Sequence, residues 1–289
     1  MAPAEKAEMG IHVYPDAYVG GNRCLVFSNK NGYERLATKG NERGAMVDVA
    51  RHSIGIKSLG QAFVMPGYNY SNWFLLVCEV LFAFYRAAKH TCYRQVVLPK
   101  QVLRRNEIVG LLSAMGLKVI TCHTRILRGF DKVAFYDVSH ARLANILYGN
   151  EESNRKFREY LSFVKEEFSD PNAGDNSRMI FSSRPLNIRR SSKAMLDVEA
   201  RYLDRGYERV DFSTMSMSEQ VKVMSQATHF AGFHGANLVN LVFTPSGCKI
   251  YELYVPGVQK TEAGSLITDN FKKLSNELGM EYHLAEVSL

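Results

Sequence analysis

His234, Gly235 and Ala236 lie between two apolar runs, in the order H-F-A-G-F-H-G-A-N-L-V-N-L-V-F from His229 to Phe243. The first run reads as a strand and the second as a helix. A strand that turns abruptly into a helix leaves backbone N–H groups at the helix start without partners. Those groups, with the helix dipole, favour a bound anion. A phosphate near His234, Gly235 and Ala236 is the ligand this predicts. The alternative is an ordinary βαβ turn whose amides meet only water. His234 could donate to a phosphate oxygen or simply order the turn. Asn237 and Asn240 could brace the loop or reach a nucleotide.

The elements around these residues set their positions. Ser216 and Glu219 form a capping box, and Val221, Met224 and Ala227 mark the buried side of a short helix. A strand is expected over 228–232. Gly235 permits a tight turn, and a helix is expected from near Ala236 until Pro245 stops it. Another strand is expected over 249–253. Upstream come a strand at 179–182, a loop at 183–192 with Arg184, Arg189 and Arg190, a helix at 193–205 and a strand at 209–212. Downstream come a helix at 270–278, capped by Gly279, and a strand at 282–284. In open parallel sheets, ligands bind beyond the carboxyl ends of the strands. Arg184, His234 and Glu252 each follow or end a different strand, so topology alone gathers them there.

These residues also carry a resemblance. Glu219-Gln220, Ala227, G-F-H-G-A-N-L-V-N-L-V-F from Gly232 to Phe243, and Tyr251-Glu252-Leu253 resemble the signature of glycosyltransferase family 61. H-G-A alone would mean nothing; H-G-A-x-L-x-N within that ordered pattern is specific. The likeness is strong from about Ile180 onward, weaker over 68–122 and absent before. It implies an α/β fold of GT-B type, two Rossmann-like domains facing a cleft, a nucleotide-sugar donor and inversion at the anomeric carbon. The family includes xylosyltransferases and N-acetylglucosaminyltransferases, so UDP-xylose is the first donor expected and UDP-N-acetylglucosamine the second. A glycan or polysaccharide hydroxyl is the acceptor.

With that donor, Arg184 and Arg190 become the expected diphosphate ligands, because a guanidinium fork matches phosphate oxygens. Arg189 could replace Arg190, and a loop rich in arginine could also serve solubility alone. The Asn-Glu pair that the family places after these arginines is Ala194-Met195-Leu196-Asp197 here. Glu252 could accept from a ribose diol or pair internally at its strand end. No D-x-D occurs, so no metal is expected: arginines and a helix start must meet the charge on the leaving diphosphate. Inversion needs one general base beside the acceptor hydroxyl. The family's N-Y-x-H-W pattern reads Asn69-Tyr70-Ser71-Asn72-Trp73, with Asn72 in the histidine's place. Glu79, the nearest carboxylate, sits in an apolar helix where burial would raise its pKa and could poise it as the base. Asp16 and His12 are the other candidates. The missing histidine motivates a second reading, a non-catalytic nucleotide-sugar or glycan binder of the same fold.

The remaining features bound these readings. The chain has 289 residues, 46% hydrophobic and 22% charged, enough for two ordinary domains. Domains at 1–170 and 171–289 are expected, split at the polar stretch S-D-P-N-A-G-D-N-S. In the first, helices at 73–89, 106–115 and 153–168 alternate with strands at 62–65, 95–98, 117–121 and 133–136, indicating a mainly parallel sheet. A further strand is expected at 24–28. The net charge of +7 suits an anionic nucleotide-sugar. No basic run supports nucleic-acid binding, leaving that reading on net charge alone. Five cysteines without a C-x-x-C are expected to be buried, reduced thiols. Neither a signal peptide nor a membrane span is recognisable, so a soluble cytoplasmic protein is expected.

Overall fold

The computed structural model describes residues 11–20, 24–28, 34–37, 59–66, 70–122, 128–136, 151–169, 177–183, 193–254 and 269–287. Arg184, Arg189, Arg190, Asn69 and most of the 169–177 stretch lie outside them. The chain divides into two compact units, Met1–Ile146 and Leu147–Leu289.

The first unit holds a seven-stranded sheet in the order β3-β2-β1-β7-β4-β5-β6. Its strands are β1 (Ile11–Gly20), β2 (Leu25–Ser28), β3 (Glu34–Ala37), β4 (Gln61–Phe63), β5 (Gln95–Pro99), β6 (Lys118–Cys122) and β7 (Arg128–Tyr136). Strands β7, β4, β5 and β6 are parallel, as the alternating pattern predicts. Their order β6-β5-β4-β7 is the 3-2-1-4 order of half a Rossmann sheet. The antiparallel ribbon β1-β2-β3 extends the β7 edge.

One helix follows β4. Trp73–Leu75, Leu76–Leu81 and Phe82–His90 run on as helix α1, and the middle piece is wound as a π-helix. Asn72 begins it, its Oδ1 accepting from Leu75 N–H at 3.3 Å. The helix is apolar nearly all round and buries Leu76 to Tyr85 on one face of the sheet. There Phe63 meets the rings of Phe84 and Tyr136 edge-on, at 6.2 and 5.1 Å. Helix α2 (Asn106–Ala114) ends at Gly116, whose φ of 75° a residue with a side chain would resist.

The second unit holds a five-stranded, wholly parallel sheet in the order β12-β11-β10-β8-β9. These are β8 (Arg178–Ser182), β9 (Glu208–Val210), β10 (Ala227–Phe233), β11 (Lys249–Tyr254) and β12 (Glu281–Glu286). Renumbered from β8, the order is 2-1-3-4-5, the doubly wound pattern whose direction reverses between β8 and β10. Helix α3 (Glu151–Phe168) belongs to this unit. Its Lys165 Nζ donates to Thr244 O at 2.9 Å, its Asn154 Nδ2 to Glu277 Oε2 at 2.8 Å, and its Arg158 pairs with Glu277. The division therefore falls ahead of α3, whereas the polar stretch places it after. The other helices are α4 (Lys193–Leu203), α5 (Met217–Met224) and α6 (Asp269–Glu277). A 3-10 helix, Ala236–Phe243, links β10 to β11. Among the described residues no helix is long and apolar enough to cross a membrane.

Candidate active site at the carboxyl ends of the strands

The carboxyl ends of β8 and β10 meet at the reversal of strand order. Ser182 and Gly232 are register partners there. Both face the same side, and a Cβ on Gly232 would lie 2.9 Å from Ser182 Cβ and 3.5 Å from Leu238 Cδ1. Only glycine allows the two strands and the following helix this approach. The chain leaves β8 through Ser183, whose N–H donates to Val210 O at 2.9 Å, and reaches Arg184 next. It leaves β10 through His234, whose N–H donates to Leu253 O at 3.0 Å.

Gly235 then differs from expectation. Its φ of 159° and ψ of −179° are extended rather than the left-handed geometry of a tight turn. The helix it introduces is 3-10, not α. The reason is in the sequence: Asn237-Leu238-Val239 repeats as Asn240-Leu241-Val242, a period of three that matches three residues per turn. That period buries Leu238, Val239, Leu241 and Val242 completely. Leu238 N–H is the first amide of the segment to find a backbone acceptor, Gly235 O at 2.9 Å. The amides of Gly235, Ala236 and Asn237 have no backbone acceptor among the described residues. Three adjacent donors at a helix start can meet an oxyanion.

His234 is 6% exposed and Glu252 0%. Glu252 Oε1 accepts from His234 Nδ1, and Glu252 Oε2 accepts from the Tyr282 hydroxyl at 2.6 Å. Phe271 of α6 meets the imidazole edge-on at 5.5 Å. Both carboxylate oxygens thus face internal partners. The internal pairing weighed for Glu252 at its strand end is formed. Tyr282 is reached only through strand register: it pairs with Ile250 and stands on the same sheet face as Glu252. Only its strand was legible in the sequence. Asn240 is fully buried in the 3-10 helix, whereas Asn237 is half-buried.

In the first unit, Glu79 is 6% exposed and sits within the π-helical turns of α1. It is the only buried carboxylate of that unit among the described residues. Its charge, after burial itself, helps hold the neighbouring Cys78 thiol well above the ordinary range. π-Helical turns recur at functional sites because they hold side chains where a regular helix does not. His12 and Asp16 are not brought to it. His12 stacks on Phe135 at 5.6 Å, on the sheet face opposite Tyr136 and α1. Asp16 is exposed, has a φ of 47°, and lies between the Pro15–Lys132 and Ala17–Phe130 pairs, toward the amino end of β7. Ligands of parallel sheets gather at the other end.

The profile of the family described as Glycosyltransferase 61 matches residues 62–251, from within β4 into β11. The chain belongs to glycosyltransferase family 61. No curated protein matches it. Membership makes it a glycosyltransferase, a protein acting on a sugar donor and a glycan acceptor. The match takes in Glu79, the β8–β10 junction and His234. Glu252 falls one position past its end and Tyr282 lies well beyond it.

Proposed function

We propose that this family 61 protein is an inverting glycosyltransferase that moves a sugar from a UDP-sugar to a hydroxyl of a glycan or polysaccharide, without a metal ion. UDP-xylose is the first donor and UDP-N-acetylglucosamine the second, both on the family resemblance. The observation that carries the reading is the reversal point between β8 and β10. Three amides at 235–237 with no backbone acceptor among the described residues stand there beside His234, and Arg184 follows β8 in the sequence. A diphosphate at that point would meet amides and guanidinium groups as negative charge develops on it.

In the reaction, the acceptor oxygen forms a bond to the anomeric carbon while the bond from that carbon to the diphosphate oxygen breaks. The electron pair leaves with UDP, and the acceptor proton passes to a carboxylate. Glu79 is our choice of base over His12 and Asp16, on its burial and its place in the π-helical turns. A GT-B organisation belongs to the same proposal, with the donor on the second unit and the acceptor on the first. It rests on each unit having parallel strands in a nucleotide-binding order.

Asn72 favours a second reading, since it replaces the expected histidine and serves as a helix cap. That reading is a nucleotide-sugar binder without turnover. UDP release from both donors in EDTA separates the two. Turnover is expected in the wild type and lost in Arg184→Ala, which also weakens UDP binding. Glu79→Gln should lose about 100-fold or more in kcat while keeping its UDP affinity. UDP binding without turnover in the wild type would establish the second reading, and full activity in Arg184→Ala would refute the phosphate assignment.

A further inference from the structure

We infer that Tyr282 and Glu252 are positioning residues that act through His234, forming a relay from the half-buried Tyr282 on the edge strand to the donor site. The inference rests on the donor reading above and adds the residues that aim its histidine. Tyr282 on β12 donates to Glu252 Oε2 at 2.6 Å, and Glu252 on β11 accepts from His234 Nδ1. His234 lies at the end of β10, so the relay crosses three adjacent strands at their carboxyl ends.

Each contact has a physical reason to exist. A carboxylate with no solvent access is costly unless its oxygens accept hydrogen bonds, and Tyr282 supplies one of them. A carboxylate on Nδ1 fixes which ring nitrogen carries that proton and how the ring is turned. Phe271 closes the ring's side. The imidazole is therefore clamped, and its opposite edge, Nε2, is the edge through which it addresses the diphosphate. With Nδ1–H committed to Glu252, donation from Nε2 requires the doubly protonated ring, a cation whose charge the buried carboxylate balances. His234 then stabilises the departing diphosphate by hydrogen bond and charge and gives up no proton. Neither Glu252 nor Tyr282 touches the donor.

The test compares Tyr282→Phe, Glu252→Gln and wild type. Donor kinetics, UDP affinity, thermal melting and the proton spectrum of the imidazole N–H groups are measured for each. The wild type should show a far-downfield ring N–H resonance that disappears in Glu252→Gln. Taking the roughly 10–100-fold range seen for groups that orient metal-binding histidines as a guide, kcat should fall about 10-fold in Tyr282→Phe and about 100-fold in Glu252→Gln. Donor KM should change less than about threefold, since the charge to be met grows only as the bond breaks. Folded variants with unchanged kcat would overturn the relay. A raised KM at constant kcat would overturn it too, returning Glu252 to a donor-contacting role. A downfield resonance lost in Glu252→Gln, in a wild type that turns over no donor, would sustain the clamp and sink the enzymatic reading.

Discussion

Gly232 leaves no space for a side chain at the point where two strands and a helix converge. A methyl group there would press on Ser182 Cβ, a short side chain with no far end to swing away. Gly232→Val should destabilise the protein by about 1–3 kcal/mol, read from denaturant melts, and weaken UDP binding further by spreading β8 from β10. The cysteines give a second prediction at this scale. Burial pushes the Cys248 thiol up to about 11 and holds Cys24 and Cys78 well above the ordinary value. Cys122 is buried as well, whereas Cys92 is exposed, against the expectation that all five would be buried. Alkylation of the native protein near pH 8 should therefore label Cys92 alone, as counted by mass spectrometry. That His234 and Glu252 come together was legible, because each follows or ends a neighbouring strand of one parallel sheet. Tyr282 was not, because it reaches Glu252 only through the pairing of β11 with β12.

Helix α5 packs against the 3-10 helix that follows His234, and its capping box is formed as the sequence predicts. Ser216 Oγ accepts from Glu219 N–H at 3.2 Å, and Glu219 Oε2 accepts from Ser216 N–H at 2.7 Å. Ser216→Ala should cost ~1 kcal/mol, seen as a lower melting temperature with unchanged turnover per folded molecule. Ser216 holds the Glu219 carboxyl below its usual range, and Arg178 does the same for Glu208. A carboxyl lowered in the folded state contributes stability above its unfolded pKa and loses it as pH falls through the folded one. Melting temperature should therefore decline as pH drops below the ordinary glutamate range. Helices and parallel strands were read to within a few residues because their periodicity is strong. Strand β1 was missed because Pro15-Asp16 looks like a turn. Strand β2 pairs with β1 only from Ala17 onward, so Pro15 needs no ladder partner on that side.

At the scale of the molecule, each unit contains its own sheet, and the family match spans both. Composition and alternation made the α/β class readable, but the split ahead of α3 was not. A polar linker signals where chain is exposed; an ion pair and a lysine-to-carbonyl bond decide which core a helix joins. If UDP binds at the reversal point, it should raise the melting temperature by mass action, contributing about 2.7 kcal/mol at a hundredfold excess over Kd. The shift should be equal with EDTA or magnesium, and Arg184→Ala should remove it. A shift that needs the metal would end the metal-free account.

The π-helical turns of α1 have a consequence of their own. A π turn holds one residue more than the α turn it replaces, so shortening 76–81 by one would restore regular winding. The flanking pieces would keep their faces, because a π turn takes up its extra residue within a single turn. Trp73 and Phe84 would stay in place, and Glu79 alone would lose the position that the wider winding gives it. A one-residue deletion there should yield a protein that folds and still holds UDP yet turns over poorly, a local loss with both ends of the helix undisturbed.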